Sequence, residues 1–254
     1  MSGLDVKRSR EGIDPFAVLK LYKHLRVADV SDAMDGIGYS DLGLMSQEIR
    51  PLWSGIKFWG VAITLRCVPA NRPMWMLNTT EEIVRDNGIW FDQMPNMRVI
   101  SLVKPGNVIV CDLGGARETG MWGSANGLGA MIAGTVGIVT NGYVRDTAEC
   151  ILERLPICAR SHGRTIEPGR VEQVEVQTKI GCGGVQVAPD DIVGCDEDGV
   201  IVVPLEVAQE IALHARAVLL HDMRARARLY ERAGKAPDET VDYATVEAYY
   251  QGLA

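Results

Sequence analysis

Apolar and polar positions along the chain follow two periods, and the chain switches between them many times. Phe16 to Leu25 (FAVLKLYKHL) is apolar at helical spacing and predicts a short amphipathic helix. Val27 to Asp35 predicts a second helix, with Ser31 or Asp29 as its cap and Asp32 and Asp35 as first-turn charges. Ile49–Trp53 and Phe58–Pro69 are strand-like, and Val61 to Val68 alternates well. Val99–Val103 predicts a strand, Lys104 to Asn107 a turn, and Val108–Cys111 another strand. Ser124 to Ala133 is built of small residues and fits a helix lying close against a sheet. Gly127 and Gly129 lower its helix propensity, which points to close packing, and Gly134 is its stop. Val136–Thr140 reads as the next strand, with Asn141-Gly142 as a turn after it.

The second half continues in the same way. Ala148–Leu155 is a short helix ended by Pro156. Strands are expected at Ile157–Ser161, Val171–Val176, Val185–Val187, Ile192–Cys195 and Val200–Pro204, the last two joined by a hairpin turn over Asp196 to Gly199. His162-Gly163, Pro168-Gly169 and Gly181 to Gly184 are loop and turn signals. Leu205 to Glu231 is a long helix, with Arg216, Arg224, Arg226 and Arg228 on solvated or subunit-facing sides, and the tail adds a small helix. Strands outnumber helices, and the class is α/β. Residues 1–14 form a polar arm, 15–204 the main domain and 205–254 a C-terminal helical segment. Residues 71–96 are an insert within the main domain. Its Trp75, Trp90, Phe91, Met74, Met76 and Met94 either line a pocket or pack on a neighbouring subunit, the second reading being preferred. Glu81 and Glu82 are read as solvated helix-face charges.

Composition narrows the function classes. At 254 residues the chain can bury a sizeable single core, and 47% hydrophobic content is ordinary for a globular protein. A net charge of −7 argues against broad nucleic-acid binding. Neither a membrane span nor a secretory h-region is visible, so a soluble cytoplasmic protein is expected. Six cysteines without C-x-x-C pairing read as reduced core residues, and the four histidines lack zinc-ligand spacing.

The chemistry concentrates in Asp112 to Glu149, which runs strand, glycine loop, helix, strand and then a charged pair. Enzymes of the α/β class present polar groups on such loops at strand ends. A guanidinium at Arg145 can bind a carboxylate through two parallel hydrogen bonds. The helix start over Gly123, Ser124, Ala125 and Asn126 offers backbone N–H groups to an anion.

The tryptophan-glycine pair, the small-residue helix, the G-x-x-G-x-V-like strand entry and Arg145-Asp146 resemble the RraA-like family. So do VSDAMD at 30–35 and the patterning at 190–200, and the resemblance covers roughly Val27 to Pro204. That family includes 4-hydroxy-4-methyl-2-oxoglutarate / 4-carboxy-4-hydroxy-2-oxoadipate aldolases, which also decarboxylate oxaloacetate. It also includes a non-catalytic regulator of ribonuclease E. The resemblance implies a β/β/α swivelling, phosphohistidine-like sandwich, assembled as a homotrimer or homohexamer with sites between subunits. It implies that Arg145 holds the carboxylate and carbonyl oxygen of a small 2-oxo (di)carboxylic acid, with Asp146 as ligand to a divalent metal, Mg²⁺ or Mn²⁺. One departure stands out: an acidic residue follows the Trp-Gly glycine in the aldolases, and here the position is Ser124. Glu118, Asp112 and Glu149 are candidate substitutes, Asn126 a neutral oxygen donor, and Arg117 a candidate for a second substrate carboxylate. Asp222 is a candidate acid donated from the C-terminal helix of a neighbouring subunit. Three readings follow: a metal-dependent carbon–carbon lyase, a related enzyme for a different oxo or hydroxy acid, and a regulator that binds a protein partner. Methyl transfer does not fit, because no G-x-G-x-x-G follows the strand.

Overall fold

Most of the longer strands carry apolar residues on both faces, so the sheet they form must be covered on both sides. The computed structural model describes residues 9–72, 78–83, 85, 99–115 and 118–253. In chain order these give α1 (Pro15–Leu19), α2 (Val27–Gly36), β1 (Arg50–Pro51), β2 (Phe58–Pro69), β3 (Asn107–Asp112) and β4 (Gly120–Trp122). Then follow α3 (Ser124–Ala133), β5 (Gly137–Val144), α4 (Thr147–Leu152), β6 (Ile157–His162), β7 (Val171–Val176), β8 (Ile180–Cys182) and β9 (Val185–Val187). The chain closes with β10 (Ile192–Asp196), β11 (Gly199–Val203), α5 (Leu205–Ala233) and α6 (Tyr243–Gln251).

Nine strands form one mixed sheet in the order β1-β6-β5-β3-β2-β10-β11, with β4 added on β5 and β7 on β2. The β2–β3, β3–β5 and β5–β6 pairs are parallel, with the helical crossover α3 between β3 and β5 and α4 between β5 and β6. The sheet curls until its ends nearly meet: Arg50 of β1 donates to the carbonyls of Glu197 and Asp198 in the β10–β11 turn. This is the mixed α/β, nearly closed barrel-like arrangement expected of the β/β/α sandwich.

Strand alternation decides which core each side chain enters. Ala62, Val108, Val110, Val139, Val193 and Val202 point into the barrel with Met45 and Ile49. Their neighbours Ile63, Ile109, Ile138 and Ile157 point outward beneath α3 and α4. Ile192, Ile201 and Val203 point outward on the other flank, against α2 and α5. Each such fully buried aliphatic side chain contributes roughly 1.5–3 kcal/mol. All six cysteines are buried free thiols, as the reduced-core reading expects. Among the described residues no helix is long and apolar enough to cross a membrane.

Several sequence expectations change. The Val99–Val103 segment is a 3₁₀ turn over Val99–Leu102, not a strand. β2 already pairs with β3, β10 and β7, which leaves that segment no ladder, and it buries Val99 instead. Asn141-Gly142 is not a turn, because β5 runs straight through it. The pairing with β6 shifts register between Thr140 and Tyr143, so the dipeptide marks a bulge. Asp29, not Ser31, closes the start of α2, accepting from the backbone N–H of Arg26 at 2.9 Å. Asp32 and Asp35 lie further along that helix. Gly127 does pack closely, since a Cβ there would approach Leu155 Cδ1 to 2.7 Å, but Gly129 faces open space. Of the insert, Trp75, Trp90, Phe91, Met74, Met76 and Met94 lie outside the described residues, as does Arg117. Glu82 caps its own turn, accepting from the N–H groups of Asn78 and Thr79.

Candidate active site

The site lies where β4, β5, α3 and α4 meet. β4 pairs in parallel with the far end of β5, and the Arg145 N–H donates to the Trp122 carbonyl at 2.8 Å. Trp122 is buried and donates from Nε1 toward Cys111 Sγ at 3.3 Å, which fixes it as a floor under the loop. The chain leaves β4 at Gly123, the extended N-cap of α3, and leaves β5 at Arg145-Asp146. Both exits open on the same side of the sheet.

Asp146 has φ of 52°, the left-handed conformation, which is uncommon for a side chain other than glycine. Backbone held in that region is a mark of functional sites. Here it turns the chain sharply from β5 into α4 and aims the carboxylate back toward α3. Arg145 Nε lies 3.2 Å from Asp146 Oδ1, and both side chains are about one-third exposed (36% and 37%). The packing depends on two missing side chains. A Cβ at Gly123 would collide with Asp146 Oδ2, and one at Gly120 would press on Arg145 Cβ at 3.0 Å. Among the described residues no side chain caps α3, so the N–H groups of its first turn can face an anion.

These elements enclose a cavity of about 220 Å³ lined by Gly120, Met121, Gly123, Ala125, Asn126, Arg145, Asp146, Ile166, Glu167 and Pro168. The structure thus brings together Gly123, Ala125, Asn126, Arg145 and Asp146 from the sequence candidates. Ser124 is half-buried beside them but is not on the cavity wall. The other acids are engaged elsewhere. Glu118 grips Arg164 through Nε at 3.0 Å, Nη2 at 2.7 Å and the backbone N–H at 2.6 Å. That guanidinium holds the Glu118 carboxyl down at about 2. The pair ties the glycine loop to the segment after β6. Asp112 accepts from Gly114 N–H at 2.9 Å and Asn141 Nδ2 at 2.8 Å, which braces the bulge in β5. Glu149 sits in the first turn of α4. Asp222 is on α5, 3.3 Å from Arg26 Nη2, and does not line this cavity within the protomer.

The part of the wall missing from the sequence reading is the segment that follows β6. Gly163 N–H bonds to Val144 O at 2.7 Å and Gly120 N–H to Thr165 O at 3.2 Å, which fold the segment across β4. Ile166, Glu167 and Pro168 then line the same cavity as Arg145. Glu167 is 6% exposed, and its Oε2 accepts from Gln173 Nε2 at 3.1 Å. Burial pushes its carboxyl up to about 7. Its only sequence signal was the adjacent Pro168-Gly169 loop mark. A glutamate in such a loop reads as solvated until the loop is seen folded inward.

Known proteins resemble this chain in sequence and in fold. DlpA of Legionella pneumophila is 28% identical over 199 residues, 78% of this chain, and this chain spans 29% of the length of DlpA. A 4-hydroxy-4-methyl-2-oxoglutarate aldolase of Thermus thermophilus is 31% identical over 48% of this chain and 73% of its own. In structure, RraAS2 of Streptomyces coelicolor, described as an unusual member of the RNase ES inhibitor RraA protein family, superposes with a TM-score of 0.69. That match covers 83% of this chain and 97% of RraAS2 at 24% identity, and it speaks for the fold. Residues 27–202, which hold every cavity-lining side chain, match the RraA-like family, Aldolase/RraA, and the chain belongs to that family.

Proposed function

We propose that the protein is a divalent-metal-dependent carbon–carbon lyase. It would cleave or decarboxylate a small 2-oxo (di)carboxylic acid through a pyruvate enolate, in the manner of a 4-hydroxy-4-methyl-2-oxoglutarate aldolase or an oxaloacetate decarboxylase. The observation that carries this reading is the convergence of Arg145, Asp146 and the uncapped start of α3 on one cavity of about 220 Å³. That volume is below the range of drug-sized pockets and suits a substrate of a few carbons. Sequence relatives named as aldolases support the same class.

Each group has a task that follows from its chemistry. Arg145 meets Asp146 through Nε, so among the described residues its terminal nitrogens are available to a carboxylate and to the adjacent oxo oxygen. As the carbon–carbon bond breaks, negative charge moves onto that oxygen, and a fixed guanidinium beside it lowers the barrier. The α3 N–H groups of Ala125 and Asn126, which line the cavity, hold the substrate carboxylate in register.

The donor set fits a hard, largely hydrated cation. Among the described residues no three His, Cys, Asp or Glu side chains cluster as a cage would require. Mg²⁺ and Mn²⁺ bind through one or two carboxylates and keep several waters. Asp146 offers one such carboxylate in a cradle that a Cβ at 123 would fill, with the Asn126 amide oxygen on the same wall. When bound there, the cation supplies Lewis-acid polarisation of the 2-oxo group.

The test is pyruvate release from oxaloacetate and from 4-hydroxy-4-methyl-2-oxoglutarate, with Mg²⁺ or Mn²⁺ and then with EDTA. Turnover that EDTA abolishes and metal restores is the expected result. A well-folded protein inert on both substrates sinks the reading and leaves a different oxo acid or a regulatory role.

The proposal extends to a homotrimer or homohexamer. α3 and α4 flank the cavity and leave Leu128, Met131, Ile132, Ile151 and Leu152 exposed, Ile132 by 80% and Leu152 by 83%. A run of exposed aliphatic side chains on adjacent helices is a typical subunit contact. Light scattering should return three or six times the 27.7 kDa chain mass, and a monomer at micromolar concentration would rule this assembly out.

A further inference from the structure

Cleavage of the C3–C4 bond of a 2-oxo acid leaves an electron pair on the carbon next to its oxo group. Before pyruvate departs, this carbon, C3, has to receive a proton. Among the described residues three titratable side chains line the cavity: Arg145, Asp146 and Glu167. An arginine guanidinium does not give up its proton in a protein. Asp146 is in an ion pair with Arg145, 3.2 Å away. Glu167 stands apart from both in its surroundings.

Glu167 is on the wall of this cavity, carried there by the folded segment after β6, and it is almost fully buried. The single hydrogen-bond partner of its carboxyl among the described residues is the uncharged Gln173 amide of β7. Cys67 of β2 and Cys111 of β3 feel its charge, and both are buried thiols pushed up from their ordinary range, chiefly by burial. Among the described residues no cation is bonded to the Glu167 carboxyl, in contrast with Glu118 on Arg164. Burial without a compensating charge keeps the carboxyl near 7, so both protonation states are populated around neutral pH. That is the condition in which a group serves as an acid in one step and is recharged before the next.

We propose that Glu167 is the proton donor of this cavity, delivering its carboxyl proton to C3 of the enolate that Arg145 stabilises. The proposal rests on the lyase reading above. In decarboxylation the bond from C3 to the departing carboxylate carbon breaks, CO₂ leaves, and the bonding pair becomes the enolate double bond. That pair then forms the new C3–H bond as the enolate oxygen returns to a ketone. Glu167 is left as a carboxylate and recovers a proton from water. In retro-aldol cleavage the substrate hydroxyl proton also has to leave, and the Glu167 carboxylate receives it. The same proton then passes to C3, so the cycle closes with no oxidant or reductant.

The experiment follows deuterium entry into the methyl group of pyruvate in D₂O with Mg²⁺, by proton NMR, for wild type, Glu167→Gln, Glu167→Asp and Arg145→Ala. Pyruvate affinity is measured in parallel by ligand-observed NMR. For Glu167→Gln the expected result is an exchange rate about a hundredfold lower, with pyruvate affinity within about threefold of wild type. Glu167→Asp keeps a carboxyl at shorter reach and should retain about a tenth of the rate. Exchange by Glu167→Gln within threefold of wild type, while Arg145→Ala is inert, overturns the assignment and leaves the lyase reading standing. Loss of exchange together with loss of pyruvate binding also overturns it, because Glu167 would then be shaping the cavity. A folded wild type that neither exchanges nor cleaves removes the lyase reading itself, and this assignment with it.

Discussion

Arg145→Ala should lower kcat/KM for oxaloacetate by about a thousandfold while leaving the fold intact. The size follows from what the guanidinium does. Removing one preorganised donor from a developing oxyanion costs roughly 10²–10³ in rate. Arg145 supplies that donor and also the charge that binds the substrate carboxylate, so the upper end applies, or about 4 kcal/mol of transition-state stabilisation. The effect on folding should be small. The side chain is 36% exposed and its ion pair with its neighbour Asp146 is a surface-type contact contributing at most about 1 kcal/mol. Arg145→Lys should recover no more than about tenfold, because an ammonium keeps the charge but loses the planar fork. Steady-state kinetics with thermal melts on the same samples checks this. A variant within threefold of wild type would show that Arg145 does not touch the reacting oxygen.

The second large effect is on stability, measured in EDTA. Glu167 has its carboxyl raised to about 7 in the folded protein, against an ordinary value of about 4.5. The folded state therefore binds a proton that the unfolded state has already released between those two values. Unfolding free energy should fall as pH rises through that window, by about 1.4 kcal/mol per pH unit for this one group. Above pH 7 the difference reaches about 3 kcal/mol, and below pH 4.5 it vanishes because both states are protonated. Glu167→Gln removes the titration and keeps a side chain of the same shape. It should match wild type near pH 4.5 and exceed it by about 3 kcal/mol at pH 8, a large share of the stability of an ordinary domain. Denaturant titrations at the two pH values decide it. Equal pH dependence in the two proteins would mean that Glu167 is solvated or paired.

Local pattern was enough wherever a strand or helix is stabilised by its own alternation. Phe58–Pro69 was read to the residue, and Ser124–Ala133 with its stop at Gly134 likewise, because a period-2 run or a helix with a left-handed glycine after it carries its own boundaries. Arg145-Asp146 was legible as a charged pair at a strand end, and Gly123 to Asn126 as a helix start. What failed was whatever depends on a partner. Val99–Leu102 has the residues of a strand, but β2, against which it packs, is already paired on both sides. Asn141-Gly142 has the composition of a turn. Asn141 instead accepts from Leu113 N–H at 2.8 Å and holds Asp112, and the strand continues as a bulge.

The same division runs through the site. By itself the sequence determined the mixed α/β class, the reduced cysteines, the family and the residues of the Arg145-Asp146 pair, all of which are written in short runs of neighbouring positions. Only the tertiary structure decided which acid joins them. Glu118, five residues before Gly123, is drawn away by Arg164, whereas Glu167, twenty-one residues beyond Asp146, is carried back onto the cavity wall. The reason is physical. The protonation of a carboxyl is set by its desolvation and by the charges around it, and both are properties of the folded surroundings, which adjacent letters in the chain do not specify.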